Sequence, residues 1–175
     1  MAMIVFGRPA AALDMFSHML ECYPNDPYAL ASRAHLRAQS GQREAALADY
    51  RQLLDAHPEY SGAFWFNYGY LLEEGGEFAQ AQAAFRQAVR LDPKLDRAWY
   101  GLGLVLIRER RFDEAVEALK RNTELQPMSP YGWYQLARVH VDRHEPEEAR
   151  RIIRHLKGFE PKVAAQLERE TGLAV

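Results

Sequence analysis

The stretch GEFAQAQAAFRQAVRLDP, Gly76–Pro93, is one of four segments that fall into register when aligned on their terminal prolines. The others are GQREAALADYRQLLDAHP at Gly41–Pro58, RFDEAVEALKRNTELQP at Arg111–Pro127 and EPEEARRIIRHLKGFEP at Glu145–Pro161. Small residues coincide at Ala46, Ala81, Ala115 and Ala149, and bulky ones four places later at Tyr50, Phe85, Leu119 and Ile153. With Pro24 included, the prolines lie 34, 35, 34 and 34 residues apart. A fixed period in this range is the mark of an array of small stacked units.

Upstream of each proline-terminated segment lies a second pattern. AFWFNYGYLLEEGG, Ala63–Gly76, aligns with AWYGLGLVL at Ala98–Leu106 and GWYQLARVH at Gly132–His140, so that Trp65, Trp99 and Trp133 share one slot and Gly69, Gly103 and Ala137 another. Trp65, Tyr68, Gly69 and Leu72 recur at the i, i+3, i+4, i+7 spacing of one helical face. Each unit therefore reads as two helices, joined near Gly41, Gly75-Gly76, Arg110-Arg111 and His144. Proline closes the second helix because it cannot continue the hydrogen-bonded ladder.

These residues resemble the tetratricopeptide repeat family, whose pattern W-x2-L-G-x2-Y, then A-x3-F, then P, is met most fully by Trp99, Leu102, Gly103, Ala115 and Pro127. The resemblance implies an all-α fold, a right-handed α-solenoid superhelix of antiparallel helix pairs with a C-terminal capping helix. Four full units are expected at 27–61, 62–95, 96–129 and 130–161, in one continuous domain. Segment 1–26 reads as the second helix of an earlier unit, with Ala12, Phe16 and Pro24 in the matching slots, so the chain is expected to begin in mid-repeat. Segment 162–175 reads as capping helix and tail, with Val163, Ala164 and Leu167 on one face. Arg33 and Arg37 stand where the family carries apolar residues, and Asn122 where it carries Ala. The first full repeat is accordingly expected to pack more loosely, with arginine stems covering apolar surface and guanidinium groups reaching water.

A lone helix pair cannot bury its apolar face, so pairs stack, and their small rotations create a concave surface. Gly69, Gly103, Ala81 and Ala115 let helix axes approach, and a bulkier residue there would overpack by roughly 1–3 kcal/mol. The family resemblance implies that the first helix of each unit lines the groove and receives a peptide or helix of a partner protein. Helical phase then selects Phe66, Asn67, Tyr70 and Glu74 in the second unit. By register, Tyr28, Ser32 and His35 correspond in the first, Arg97, Tyr100, Leu104 and Arg108 in the third, and Tyr131, Tyr134, Gln135 and Arg138 in the fourth. Tyrosine suits such a surface, combining a broad apolar ring with a hydroxyl. Simple packing between adjacent first helices is the competing reading of these aromatics. The family's carboxylate clamp for acidic C-terminal tails is not expected: Asn67 and Arg97 match it, but Ala31, His35 and Gly101 occupy its other slots.

Other chemistry finds no residues to carry it. Twenty-two Lys and Arg against twenty-four Asp and Glu give a formal charge of −2, so there is no overall basic field for nucleic acid. The single cysteine, Cys22, cannot form an intramolecular disulfide and is expected to be a small buried hydrophobe. The apolar opening Met1–Phe6 is far shorter than the ~20 residues of a membrane-spanning helix, and no direct membrane insertion is expected. His140 and His144 lie four apart but lack a third ligand, so neither a metal nor another cofactor is expected. No phosphate loop, nucleophile elbow or paired Cys-His signature is present. The basic run Arg150, Arg151, Arg154, His155 and Lys157 reads as a solvated helix face, with a docking patch for an acidic partner as the alternative reading.

The expected function is that of a non-enzymatic, cytoplasmic scaffold binding a protein or peptide ligand. Two alternatives stand beside it: self-assembly into a homo-oligomer through the exposed half-repeat of residues 1–24, and the soluble portion of a membrane-tethered protein.

Overall fold

The proline and glycine punctuation becomes helix boundaries in the computed structural model, which describes residues 9–175. Residues 1–8 lie outside that range, and with them the Met1–Phe6 stretch and the start of the proposed 1–24 assembly segment. The described residues form ten helices: α1 (Pro9–Cys22), α2 (Pro27–Gln39), α3 (Arg43–Ala56), α4 (Gly62–Glu74), α5 (Phe78–Leu91), α6 (Asp96–Arg108), α7 (Phe112–Leu125), α8 (Pro130–Asp142), α9 (Pro146–Lys157) and α10 (Pro161–Thr171). No strand occurs among them.

Local chemistry explains the breaks. Each turn between paired helices contains one residue in the left-handed region: Gly41 (φ 74°), Gly76 (φ 80°), Arg110 (φ 58°) and His144 (φ 60°). Pro24, Pro58, Pro93 and Pro127 follow α1, α3, α5 and α7 by two residues, whereas Pro161 opens α10 at a position where its missing N–H costs nothing. Asp26 and Ser61 cap α2 and α4 by accepting from the backbone N–H groups of Ala29 and Ala63.

The periodic prolines and tryptophans are physically linked. Nε1 of Trp65 donates to the Pro58 carbonyl at 2.8 Å, Trp99 to Pro93 at 3.0 Å and Trp133 to Pro127 at 2.9 Å. Each tryptophan thus fastens the start of a helix to the turn before it, and is half-buried for that reason. The expected core stripe of α4 is narrower than periodicity suggests: Gly69 and Leu72 are buried, but Trp65 and Tyr68 are only half-buried.

The helices form two compact units, divided between Asp92 and Pro93. In the first, α1 packs on α2, α2 on α3, α3 on α4 and α4 on α5. Ala46, Tyr50, Ala81 and Phe85 are buried at its centre. A Cβ on Gly69 would stand 3.0 Å from the Phe85 ring, which is why that slot is small. In the second unit α6 packs on α7, α7 on α8 and α8 on α9, while α10 lies against both α8 and α9. Gly103 repeats the close approach, with a Cβ there 2.8 Å from Leu119. Helix α10 buries Ala164 and Leu167 completely, as the apolar face of a cap should.

Two expectations require correction. Cys22 is exposed, because the inward stripe of α1 runs through Ala12, Phe16 and Leu20 and leaves position 22 on the other side. The guanidinium groups of Arg33 and Arg37 do not turn to water. Both bond the carboxylate of Asp49 on α3, which is itself buried, so an ion cluster fills the space between α2 and α3. At the remaining departure, Asn122 is buried and donates from Nδ2 to the Asp96 carbonyl at 2.9 Å.

Candidate functional site

The first unit contains a cleft of about 440 Å³ where α2, α3 and α4 meet. It brings together five of the sequence-selected residues, His35 from α2 and Phe66, Asn67, Tyr70 and Glu74 from α4. Their spacing on α4 puts positions 66, 67 and 70 on one side of the helix, away from the buried Gly69 and Leu72. Phe66 and Tyr70 lie along that side with their rings tilted by 30° and their centroids 6.3 Å apart, and Phe66 rests on Phe85 at 5.9 Å. Leu71 and Ala38 complete the apolar wall.

Polar groups sit at defined points of this wall. Tyr50, buried in α3, accepts a hydrogen bond at its hydroxyl from Asn67 Nδ2 at 3.2 Å. Burial pushes the Tyr50 phenol above its ordinary range, and the Asn67 bond only partly opposes this. That bond orients the Asn67 carboxamide and leaves its Oδ1 and second N–H directed elsewhere. At the rim, the Tyr70 hydroxyl donates to Glu74 at 2.9 Å, and this bond, with the nearby charge, raises the Tyr70 phenol. Gln39 Nε2 donates to His35 Nε2 at 3.0 Å. Tyr70 is exposed, as is Tyr28 on α2, whose ring meets the buried Phe16 edge-on at 5.8 Å, while Ser32 is half-buried.

In the second unit the selected residues divide. Tyr100 and Tyr134 are half-buried and pack against the core of Leu119, Leu136 and Ile153. Leu104 and Gln135 are half-buried, whereas Arg97, Arg108, Tyr131 and Arg138 are exposed. Tyr134 is tied at its hydroxyl, which donates to Glu170 of α10 at 2.5 Å and accepts from Arg138 at 3.4 Å. Bonds from Tyr134 and Gln166 hold the Glu170 carboxyl below its usual range. The capping helix therefore takes up the hydroxyl that would otherwise be open to a ligand.

Sequence reasoning missed Asp49, Tyr50, Glu145 and Glu170 as organising residues. Asp49 did carry a signal, since it interrupts the apolar slot held by Ala84, Ala118 and Ile152 in the other units. Glu170 carried none, because its contact depends on how α10 docks. His140 is buried and its Nδ1 lies 2.7 Å from Glu145, while His144 occupies the turn. No group of three metal-ligating side chains occurs among the described residues, and no helix among them is long and apolar enough to cross a membrane.

Paired helices with small residues at the crossings, repeated at one period, define a helical-repeat protein. The tetratricopeptide repeat model matches residues 32–94 and 69–130, together more than half of the sequence, and the chain belongs to the tetratricopeptide repeat family. A curated relative, the small glutamine-rich tetratricopeptide repeat-containing protein 2 of Mycosarcoma maydis, is 29% identical over 83 residues. That match covers 47% of this chain and 23% of the relative, so the chain spans about a quarter of the relative's length. Among solved structures, MamA superposes with a TM-score of 0.82 at 19% identity, covering 97% of this chain and 89% of MamA. YrrB, described as a TPR protein with an unusual peptide-binding site, superposes with a TM-score of 0.83 at 18% identity, covering 93% of this chain and 84% of YrrB.

Proposed function

We propose that the protein is a non-enzymatic interaction scaffold whose first helices hold a peptide or helix of a partner protein. The observation that carries this reading is the α2–α4 cleft, where Asn67 keeps hydrogen-bonding capacity beside the apolar faces of Phe66 and Tyr70. A carboxamide can hold both the N–H and the C=O of an extended backbone, and adjacent aromatic rings give side chains of the ligand an apolar seat. Membership of the tetratricopeptide repeat family supports the same reading, and YrrB is a fold relative described as peptide-binding. In the second unit, Arg97, Tyr100, Leu104, Tyr131, Gln135 and Arg138 form the corresponding recognition set. Tyr134 serves it indirectly, by fixing Arg138.

Selection of a displayed random-peptide library against the intact chain tests this. Selected peptides should lose about tenfold or more in affinity against Asn67→Ala and against Tyr70→Ala, as anchor residues do. Unchanged affinity in both variants, with folding verified by circular dichroism, removes the α2–α4 cleft as the binding site.

A further inference from the structure

A second cleft, of about 360 Å³, lies between α7, α8 and α9 and shares no lining residue with the recognition set above. Its walls are apolar, formed chiefly by Trp133, Leu136 and Ile152. His140 also lines it, and that residue is out of place. By register its slot holds Leu72 and Leu106 in the two preceding units, both essentially fully buried, and His140 is itself only 6% exposed. Burying an imidazole where leucine would serve is unfavourable unless both nitrogens are used.

One nitrogen is used within the chain. Nδ1 of His140 faces the Glu145 carboxylate at 2.7 Å, and a carboxylate can only accept, so Nδ1 carries the proton. In the neutral ring Nε2 is then a hydrogen-bond acceptor. It has no partner among the described residues, although every fully enclosed side-chain nitrogen or oxygen among them has one. Nε2 is therefore not fully enclosed, and the cleft is the opening that His140 lines.

The rim bears on what could meet it. Lys120 and Glu124 on α7, and Glu148 and Arg151 on α9, surround the opening. These charges are of both signs and largely answered by their own helices: Lys120 by Glu117 at 3.7 Å, Glu124 by Arg121 at 2.7 Å and Arg151 by Glu148 at 3.9 Å. Around Glu145, Arg143 bonds both that carboxylate and Asp113 at 3.0 Å. No single-sign field is left to draw in an ion. The complementary ligand is a flat apolar group with a neutral hydroxyl at its tip.

We infer that this cleft takes a tyrosine side chain of a partner protein, its ring resting on Leu136, Ile152 and the packed Trp133–His155 pair, whose centroids are 4.5 Å apart, and its hydroxyl donating to His140 Nε2. The inference rests on the reading of the chain as a binder of polypeptides, but not on Phe66, Asn67, Tyr70 or their counterparts in the second unit.

The test uses the intact chain at neutral pH and follows the ring nitrogens of His140 by NMR during titration with four probes. These are the N-acetyl amides of tyrosine, O-methyltyrosine, phenylalanine and glutamate. The tyrosine amide should shift Nε2 and bind roughly three- to tenfold tighter than the other three, the worth of one neutral hydrogen bond. His140→Leu, which restores the residue of the equivalent slots, should keep the fold and the phenylalanine affinity while abolishing the tyrosine preference. Equal binding of tyrosine and phenylalanine amides, tighter binding of the glutamate amide, or no response at His140 would each overturn the assignment. None of these outcomes bears on Phe66, Asn67 or Tyr70, so the proposed α2–α4 peptide site stands or falls separately.

Discussion

Arg33 holds Asp49 through two parallel hydrogen bonds, Nε to Oδ2 at 3.0 Å and Nη2 to Oδ1 at 2.7 Å. Arg37 adds a third from Nη1 to Oδ2 at 2.7 Å, and Arg33 Nη1 reaches Ser17 of α1 at 3.3 Å. This ion cluster thus ties three helices of the first unit together, Asp49 joining α3 to α2 and Arg33 joining α2 to α1. Its side chain is 3% exposed, against 16% for Arg33 and 24% for Arg37. Asp49→Ala leaves two guanidinium groups facing each other without their counter-ion. The expected cost is about 3 kcal/mol, the low end for a buried pair because the arginines keep some water. Urea denaturation measures it, and a change within the error of the midpoint would show the cluster to be dispensable. Replacing Arg33, Arg37 and Asp49 together by leucine, leucine and alanine should recover most of that loss, since a well-packed apolar core matches an ion cluster.

Arg110 and His144 occupy the left-handed turn positions that Gly41 and Gly76 hold in the first unit. A side chain there costs roughly 1–2 kcal/mol, offset partly by the greater freedom glycine has when unfolded. His144→Gly and Arg110→Gly should each therefore raise stability by about 0.5–1 kcal/mol. Gly41→Ala and Gly76→Ala should each lower it by a similar amount, although no atom stands within 4 Å of the added Cβ. Melting temperatures of the four variants, compared pairwise, decide the matter.

Gly132 and Asn122 are fitted to one another. A Cβ at position 132 would lie 2.1 Å from Asn122 Oδ1 and 3.1 Å from the Thr123 methyl. Gly132→Ala must displace the Asn122 side chain from its bond to the Asp96 carbonyl, at an expected cost of about 2 kcal/mol. With Asn122→Ala already in place, the same substitution should cost much less. A coupling energy near zero in the double-mutant cycle would show that the two positions do not share this constraint.

Acid should weaken the second unit. Glu145 is held below the usual carboxylate range by its bond to His140, Glu168 by Lys157 and the Val175 backbone, and Glu170 by Tyr134 and Gln166. A depressed carboxyl stabilises the fold above its ordinary pKa of about 4.3, and the contribution disappears as pH falls through the lower folded value. The urea midpoint should decline from about pH 5 downward, and Glu168→Gln should flatten that decline. Tyr50 behaves oppositely: its raised phenol stabilises below the ordinary value of about 10, and that contribution fades as pH rises past it. A midpoint that holds level between pH 5 and 3, with about those limits, would refute the carboxylate contribution.

Much of this was readable in the residues. The shared slots of Ala46, Ala81, Ala115 and Ala149 are all completely buried, and Gly69 and Gly103 do mark close helix approaches. These features were legible because each unit meets the same neighbours at the same period, so local sequence reports tertiary contact. The candidate site was less so. Phase alone puts Phe66, Asn67 and Tyr70 on one side of α4, but it does not tell that Asn67 rests on Tyr50 or that Glu170 claims the Tyr134 hydroxyl. Those contacts join residues 17 and 36 positions apart, outside the reach of helical periodicity.

By itself the sequence determined the helix count, the turns and the small-residue crossings, because these depend on propensity and on a repeated pattern. Only the tertiary structure decided how the exceptional residues are used. Arg33, Arg37 and His140 all break the apolar pattern, and each does so with an acidic partner, Asp49 or Glu145, on a neighbouring helix or turn. A buried polar group is stable only where its hydrogen bonds are met. Whether they are met is a matter of distance across the packed helices, which the order of residues along the chain does not contain.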